Sequence, residues 1–417
     1  MSNSTPQEKL WSGSFVYFFI LIFLIQHVFG ITMPTVPGFI QFGLGLNIAL
    51  AGTLTSVFAL VCLITRPLSG VAGDRLNKKV LTVISTCLTG VAVILHAYAP
   101  NASMIVLVRV VHGIAFAFSL TIAFAMAVAY VPKSRLGEGV GYLAVSTLVG
   151  GVLGPFVGSS LIDLLAAKDS AGTIIDIVVG YRSTFLVGGA ILIVAGLSLA
   201  FFKYVPPAPP PGAPIPPRRP ITFSSFIAPE LLPLVFFVTI AAIPPGINGA
   251  FLRPLGIERG ISGFALFFIM NAIVQLVTRP TIGKLIDRKG SAFVAIPGYI
   301  LFAIGMLWIG HSYTLPSLLG AAAVMALGLS TLPALQTDCF RKLDPSRRAL
   351  ASGMYFMGMD LGQGLGQLGG GIITRALGGK FEGTYIIACA ALIFGCLLYA
   401  LYVGAAKKRA KASASAV

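Results

Sequence analysis

The sequence predicts an all-α integral membrane protein with twelve transmembrane helices in two pseudo-symmetric six-helix halves. Three observations predict it. Of 417 residues, 56% are hydrophobic and only 10% charged, against roughly 25% charged in soluble domains. Apolar runs of about twenty residues, the length that crosses the hydrocarbon core, recur from end to end. A spaced pattern also returns: Arg66, Pro67, Gly70, Asp74 and Arg75 are matched at one constant offset by Arg279, Pro280, Gly283, Asp287 and Arg288. Arg135 and Tyr142 match Arg348 and Tyr355 at the same offset. So many coincident positions indicate an internal duplication.

The spans follow in order. The first half, residues 1–203, holds runs at 13–36, 45–68, 79–99, 103–130, 140–165 and 183–203. The first run is long enough to span and lacks a small-residue cleavage site, so it reads as a helix rather than a leader. Residues 204–229 contain PPAPPPGAPIPPRRP. Proline at this density cannot continue a helix and favours extended polyproline structure, so the stretch reads as a semi-rigid linker. The second half, 230–404, holds runs at 230–252, 262–283, 292–311, 315–336, 350–373 and 383–404. A basic tail, 405–417, closes the chain.

The net charge of +16 does not point to nucleic acid, because the bases cluster in alternate short loops. Arg66, Arg75, Lys78 and Lys79 fall on one side, as do Arg279, Lys284, Arg288, Lys289, Arg341, Lys342 and the tail lysines. The opposite loops hold only Lys168, Arg182, Arg253, Arg259, Arg375 and Lys380. The positive-inside rule then places both termini and the linker in the cytoplasm, with the chain in a cell (inner) membrane. Cys62, Cys87, Cys339, Cys389 and Cys396 sit in or at the ends of apolar runs with no metal or redox spacing, and read as packing residues. No phosphate loop, nucleophile elbow or metal cluster is present in the sequence, so neither an enzyme nor a cofactor is expected.

Four motifs carry chemistry. In RPLSGVAGDRLNKK, between spans 2 and 3, the glycines suit a tight turn and close helix approach. Positive-inside bias explains Arg75, Lys78 and Lys79, but not the acid Asp74 that recurs as Asp287. Asp74 is placed to accept charge-assisted hydrogen bonds or face a helix N-terminus. Here the chain resembles the major facilitator superfamily, whose motif G-x-L-A-D-R-x-G-R-K is matched at Gly70, Asp74, Arg75, Lys78 and Lys79. Ala72 and Gly73 depart from Leu-Ala, and Asn77 replaces the second glycine as the next-best residue for a left-handed turn. The resemblance implies an inner gate latch, repeated at Gly283, Asp287 and Arg288.

The second motif is Arg109, His112 and Gly113 in span 4. An intramembrane arginine usually faces the protein interior and marks function, although one near a boundary can also snorkel to water. The pattern is similar to the superfamily's R-x-x-Q-G motif, linked to proton transfer, with His112 in the glutamine position adding a group able to titrate. In span 5, Gly150, Gly154, Pro155 and Gly158 make a smooth face and a pliable kink. Ordinary tight packing would explain them. They also resemble the G-x-x-x-G-P-x-x-G motif of drug:proton antiporters, with Ser159 where a further glycine is usual, and that resemblance implies export.

The fourth is Asp360 in the eleventh span, within YFMGMDLGQGLGQLGGG. An acid at midplane is costly unless paired, and one moved between two environments can load and release a proton. A fixed structural pair is the alternative. The D-L-G-x-x-L-G run resembles span 11 of bacterial efflux members. Many of those carry an acid in span 1, where this chain has Gln26 and His27. Asp163, near the outer end of span 5, is a lesser proton candidate. Asn248, Asn271, Gln275, Tyr355 and Gln363, with Gln26 and His27, are candidates to orient a small, partly polar solute, although each alone could be an interhelical hydrogen bond. His96 and His311 fall near outer loops and are assigned no role.

Two halves repeated in parallel are the pattern of secondary transporters that work by alternating access. The expectation is a monomeric, proton-coupled exporter of a small organic solute, whose partners are that solute, protons and the bilayer. A symporter or facilitator for uptake is the alternative on the same fold, and a transporter-like receptor or scaffold the alternative of another class.

Overall fold

The computed structural model describes residues 9–170, 172–204, 225–378 and 380–414. The proline-rich stretch lies almost wholly outside them. Almost every element is helical: α1 (Gly13–Gly38), α2 (Ile48–Arg75), α3 (Lys78–His96), α4 (Ala102–Ala129), α5 (Leu136–Leu165), α6 (Ile177–Phe201), α7 (Leu232–Glu258), α8 (Leu266–Lys289), α9 (Ser291–Gly310), α10 (Leu315–Gly328), α11 (Thr331–Lys342), α12 (Arg348–Ala376) and α13 (Phe381–Ala414). A short antiparallel hairpin, β1 (Ala167–Lys168) and β2 (Ile174–Asp176), joins α5 to α6.

The starts are set by local polar chemistry. Side chains of Ser12, Asn47, Asn77, Asn101 and Asp176 each accept a backbone N–H in the first turn of α1, α2, α3, α4 and α6. Each satisfies a donor that the helix itself leaves unpaired. Asp344 does the same for the 3-10 turn Pro345–Arg347 that leads into α12. Hydrogen bonds from the Ser346 hydroxyl and backbone N–H hold its carboxyl below the usual range. Pro34 and Pro37 near the end of α1 are followed by a π-helical turn, Phe39–Gly43. Proline removes a ladder donor and crowds the preceding turn, which favours such a wider turn.

Eleven stretches among the described residues are long and apolar enough to cross a membrane, with α10 and α11 forming one of them, Leu315–Lys342. The twelfth is α12. Its 29 residues rise about 43 Å, more than the roughly 30 Å hydrocarbon core. Glycine and polar side chains around Asp360 only dilute its hydropathy. Large apolar side chains stand exposed along the helices, as with Ile64, Phe156, Val277 and Leu368. For a membrane-spanning helix that outer surface meets lipid.

Two compact units emerge. One consists of Met1–Lys133, Ser146–Pro229 and Leu343–Met357, the other of Ser134–Val145, Glu230–Lys342 and Gly358–Val417. In each, small residues let backbones approach. A Cβ placed on Gly90 of α3 would lie 2.6 Å from the Gly189 carbonyl oxygen of α6. One on Gly362 of α12 would lie 2.2 Å from the Thr239 carbonyl oxygen of α7. Without a hydrophobic drive between helices in lipid, such close contact supplies the packing.

Candidate functional site

The repeated acids cap helices. In the first unit the Asp74 carboxylate accepts from Ala349 N at 2.9 Å and Leu350 N at 2.8 Å, in the first turn of α12. In the second unit Asp287 accepts from Gly137 N at 2.7 Å and Glu138 N at 2.9 Å, in the first turn of α5. A carboxylate there meets unpaired N–H donors and the positive end of the helix dipole. Lys78 Nζ stands 3.7 Å from Asp74, and Arg341 Nη2 2.8 Å from Asp287. Glu138 is gripped by Arg135 at 2.7 and 2.8 Å.

The glycines of this motif serve approach rather than turning. Arg66 to Arg75 are helical, and only Leu76 and Asn77 separate α2 from α3. Asn77 has φ −68° and caps α3 through Val80 N, so the left-handed turn expected there is replaced by an extended capping residue. A Cβ on Gly70 would lie 2.8 Å from Leu350 Cα, and one on Gly283 2.7 Å from Glu138 Cα. Backbone contact this close brings each capped helix within reach of the acid. Asp74→Asn and Asp287→Asn keep one acceptor of two and lose the charge, an expected loss of about 1–2 kcal/mol each. Both variants should reach the membrane at normal levels and transport slowly. Normal transport rates in both would end the latch reading.

The duplicated arginines are buried. Arg66 lies 4.7 Å from the Phe356 ring and donates to Thr121 Oγ1 at 3.2 Å. Its counterpart Arg279 donates to Gln275 Oε1. Gln275 Nε2 donates to Asn271 Oδ1 at 2.6 Å, and Asn271 Nδ2 to the Ala322 carbonyl at 3.3 Å. Two of the polar groups expected to meet solute are thus linked along α8 into one chain that ends on the arginine.

The α4 motif sits in a buried aromatic nest of the first unit. Arg109 and His112 are 3% and 1% exposed. The Arg109 guanidinium lies 5.3 Å from the Phe58 ring, and His112 is 4.8 Å from that ring. Snorkelling does not describe Arg109, because it does not reach the surface. His96 joins them: it is fully buried, its ring centroid is 5.6 Å from His112, and its Nδ1 is 2.8 Å from the Ala92 carbonyl. Arg109 Nε and Nη1, both His112 nitrogens and His96 Nε2 have no hydrogen-bond partner among the described residues. The sequence placed His96 near a loop, whereas it closes the last turn of α3 and faces inward. Nothing local marks that direction.

The α5 motif packs on α1. A Cβ on Gly154 would lie 2.5 Å from Gly30 Cα, and one on Gly158 2.8 Å from the Ile31 carbonyl oxygen. At Gly150 the neighbours are the Phe23 carbonyl oxygen at 2.8 Å and His27 N at 3.0 Å. Gln26 and His27 therefore belong to the α1–α5 seam, and His27 Nδ1 lies 3.4 Å from the Gly150 carbonyl. Pro155 lies inside α5.

Asp360 is half-buried in α12, and Asp163 is exposed in the last turn of α5. Asn248 in α7 donates to Met325 Sδ at 3.0 Å, and its Oδ1 has no hydrogen-bond partner among the described residues. Tyr355 is buried in α12 beside Phe356. Gln363 is half-buried, and its carbonyl oxygen lies 2.2 Å from where a Cβ on Gly246 would stand. His311 pairs with Glu382 at 2.9 Å. No group of three or more metal-binding side chains is assembled among the described residues.

The family model of the Major Facilitator Superfamily matches residues 18–337 and 231–416. The chain belongs to the Major Facilitator Superfamily. Members of this superfamily are transporters, not enzymes. Multidrug resistance protein MdtG of Proteus mirabilis is 24% identical over 422 residues, covering 95% of this chain and 97% of that protein. The MFS-type transporter MJ1560 of Methanocaldococcus jannaschii is 25% identical over 346 residues, covering 78% and 82%. Among solved structures, FucP in the outward conformation superposes with a TM-score of 0.74 at 15% identity, covering 94% of this chain and 99% of that one. The last comparison concerns the fold alone.

Proposed function

We propose that this superfamily member is a proton-coupled exporter that moves a small organic solute by alternating access. The observation that carries export is the α5 face of Gly150, Gly154 and Gly158 seated on α1, in the pattern of the antiporter motif. MdtG, similar over nearly the whole chain, bears the name of a multidrug resistance protein, which supports the same direction. Asp360 is the proposed proton carrier, with Arg109 and His112 as further proton-coupling groups and Asp163 in a lesser role. Gln26, His27, Asn248, Asn271, Gln275, Tyr355 and Gln363 are the proposed solute contacts. The halves 1–203 and 230–404, the linker 204–229 and the tail 405–417 form one working monomer in the inner membrane.

Proteoliposomes carrying a pH gradient imposed first in one direction and then in the other test the reading. Solute leaving against inward proton flow supports export. Solute and protons moving together would replace it with symport.

Both termini and the linker are proposed to be cytoplasmic. Single cysteines at Asn101 and Pro211, in a cysteine-free background, are to be labelled in intact cells with an impermeant reagent. Labelling at Asn101 alone is expected, and labelling at Pro211 alone would invert the topology.

A further inference from the structure

A cavity of about 730 Å³ lies in the second unit, where α8 ends and α9 begins. Three cations line it. Lys289 Nζ stands 4.5 Å from the Phe293 ring, Lys342 Nζ 5.1 Å from the Tyr402 ring, and Arg341 Nη1 3.5 Å from Ser291 Oγ. One acid shares the wall, Asp338, which accepts from Tyr399 OH at 3.2 Å. The first residues of α9, Ser291 and Ala292, also line the cavity, and no side chain caps that helix. Its N-terminal dipole adds to the positive field. Three bases against Asp338, with Asp287 bonded to Arg341 just outside, leave an excess of one or two positive charges. Such an excess suits one phosphodiester better than a polyphosphate.

The walls say where the phosphodiester comes from. Phe293 both lines the cavity and stands 49% exposed. It begins an outward apolar stripe on α9 that continues through Ile300 and Ile304. Helix α13 packs beside α9 and exposes Phe394, Leu397 and Leu401. Spacings of three, four and seven residues hold each set on one helix face. A charged cavity is thus continuous with an apolar face of acyl-chain character, at the base-rich end of the spans.

We propose that this cavity binds the headgroup of an anionic phospholipid. Its phosphodiester meets Lys289, Lys342 and the start of α9, and its acyl chains run along α9 and α13. Basic recesses between spanning helices are suited to such headgroups. The site shares Arg341 with the Asp287 turn and no residue with the α4 nest, and it is independent of the direction of transport.

The test is native mass spectrometry of the purified full-length chain in a neutral detergent. Phosphatidylglycerol and phosphatidylcholine of identical acyl chains are titrated separately, and inorganic phosphate is added as a competitor. Phosphatidylglycerol is expected to be retained more strongly than phosphatidylcholine and to survive millimolar phosphate. Lys289→Gln with Lys342→Gln should weaken phosphatidylglycerol retention about 30-fold. Lys168→Gln, in β1, should leave it unchanged. Equal retention of the two lipids by the unaltered protein would overturn the proposal without reference to any variant. So would ready displacement by inorganic phosphate, which would make this a free-phosphate site, or undiminished retention by a folded double variant.

Discussion

Asp360→Asn is expected to reduce transport driven by a pH gradient to the uncoupled background, while exchange down a solute gradient continues. A midplane carboxylate is expensive as a permanent charge, by about 2.5–3.5 kcal/mol on insertion scales. One that moves between two environments during the cycle can load and release a proton. Asparagine keeps the shape and a hydrogen-bonding group but cannot exchange a proton. Asp360→Glu should keep partial coupling with a displaced pH optimum. His112→Gln restores the residue usual in the superfamily motif and should leave coupling in place. Solute and proton flux measured together in reconstituted vesicles decide among the three. Intact proton-driven transport in Asp360→Asn moves the role to His112, His27 or Asp163.

Gly154→Ala should cost the largest share of stability of any single methyl group added to the α1–α5 seam. The new carbon would stand 2.5 Å from Gly30 Cα and 2.6 Å from the His27 carbonyl oxygen. Both are backbone atoms, so no rotamer change relieves the clash and the helices must separate. Overpacking usually costs about 1–3 kcal/mol, and a contact on backbone belongs at or above the upper end. Gly151→Ala, three residues away, is the control. Its nearest neighbour would be Gln26 Nε2 at 3.6 Å, an ordinary contact. There the change should be neutral, or stabilising by up to about 1 kcal/mol from helix propensity. Thermal unfolding of the two proteins in the same detergent separates them. A wild-type midpoint for Gly154→Ala would show that the seam is looser than its geometry.

The spans were legible because lipid imposes length and polarity on them together. Their inner ends were not. The α2 run was expected to stop near residue 68, yet the helix continues to Arg75, and α13 runs to Ala414. Hydropathy measures the thickness of the hydrocarbon, whereas a helix continues into water as long as its hydrogen bonds hold and its ends are capped. The break between α10 and α11 at Leu329 and Ser330 left a fainter trace. Gly328 and Pro333 bracket it, and the proline cannot donate back across the gap.

Candidate polar groups were legible by type and depth, but their partners were not. Gln275 and Asn271 lie four residues apart and Arg279 four further on, so their linkage along α8 could have been read from helical spacing. His96 could not. Its neighbour His112 lies on another helix, and their meeting depends on how α3 rotates against α4.

The two copies of the turn start their second helix differently. In the first, Asn77 closes the start of α3 with its own side chain. At the matching place in the second stands Gly290, at φ 87° and ψ 160°, and α9 begins with no side chain over it. Duplication handed both halves the same acid and the same arginines, and the need to cap a helix binds both equally. A helix start without a capping side chain leaves its first N–H donors open to water or to a ligand. Asn77 against Gly290 therefore separates a helix start closed by its own side chain from one left open to solvent or a ligand.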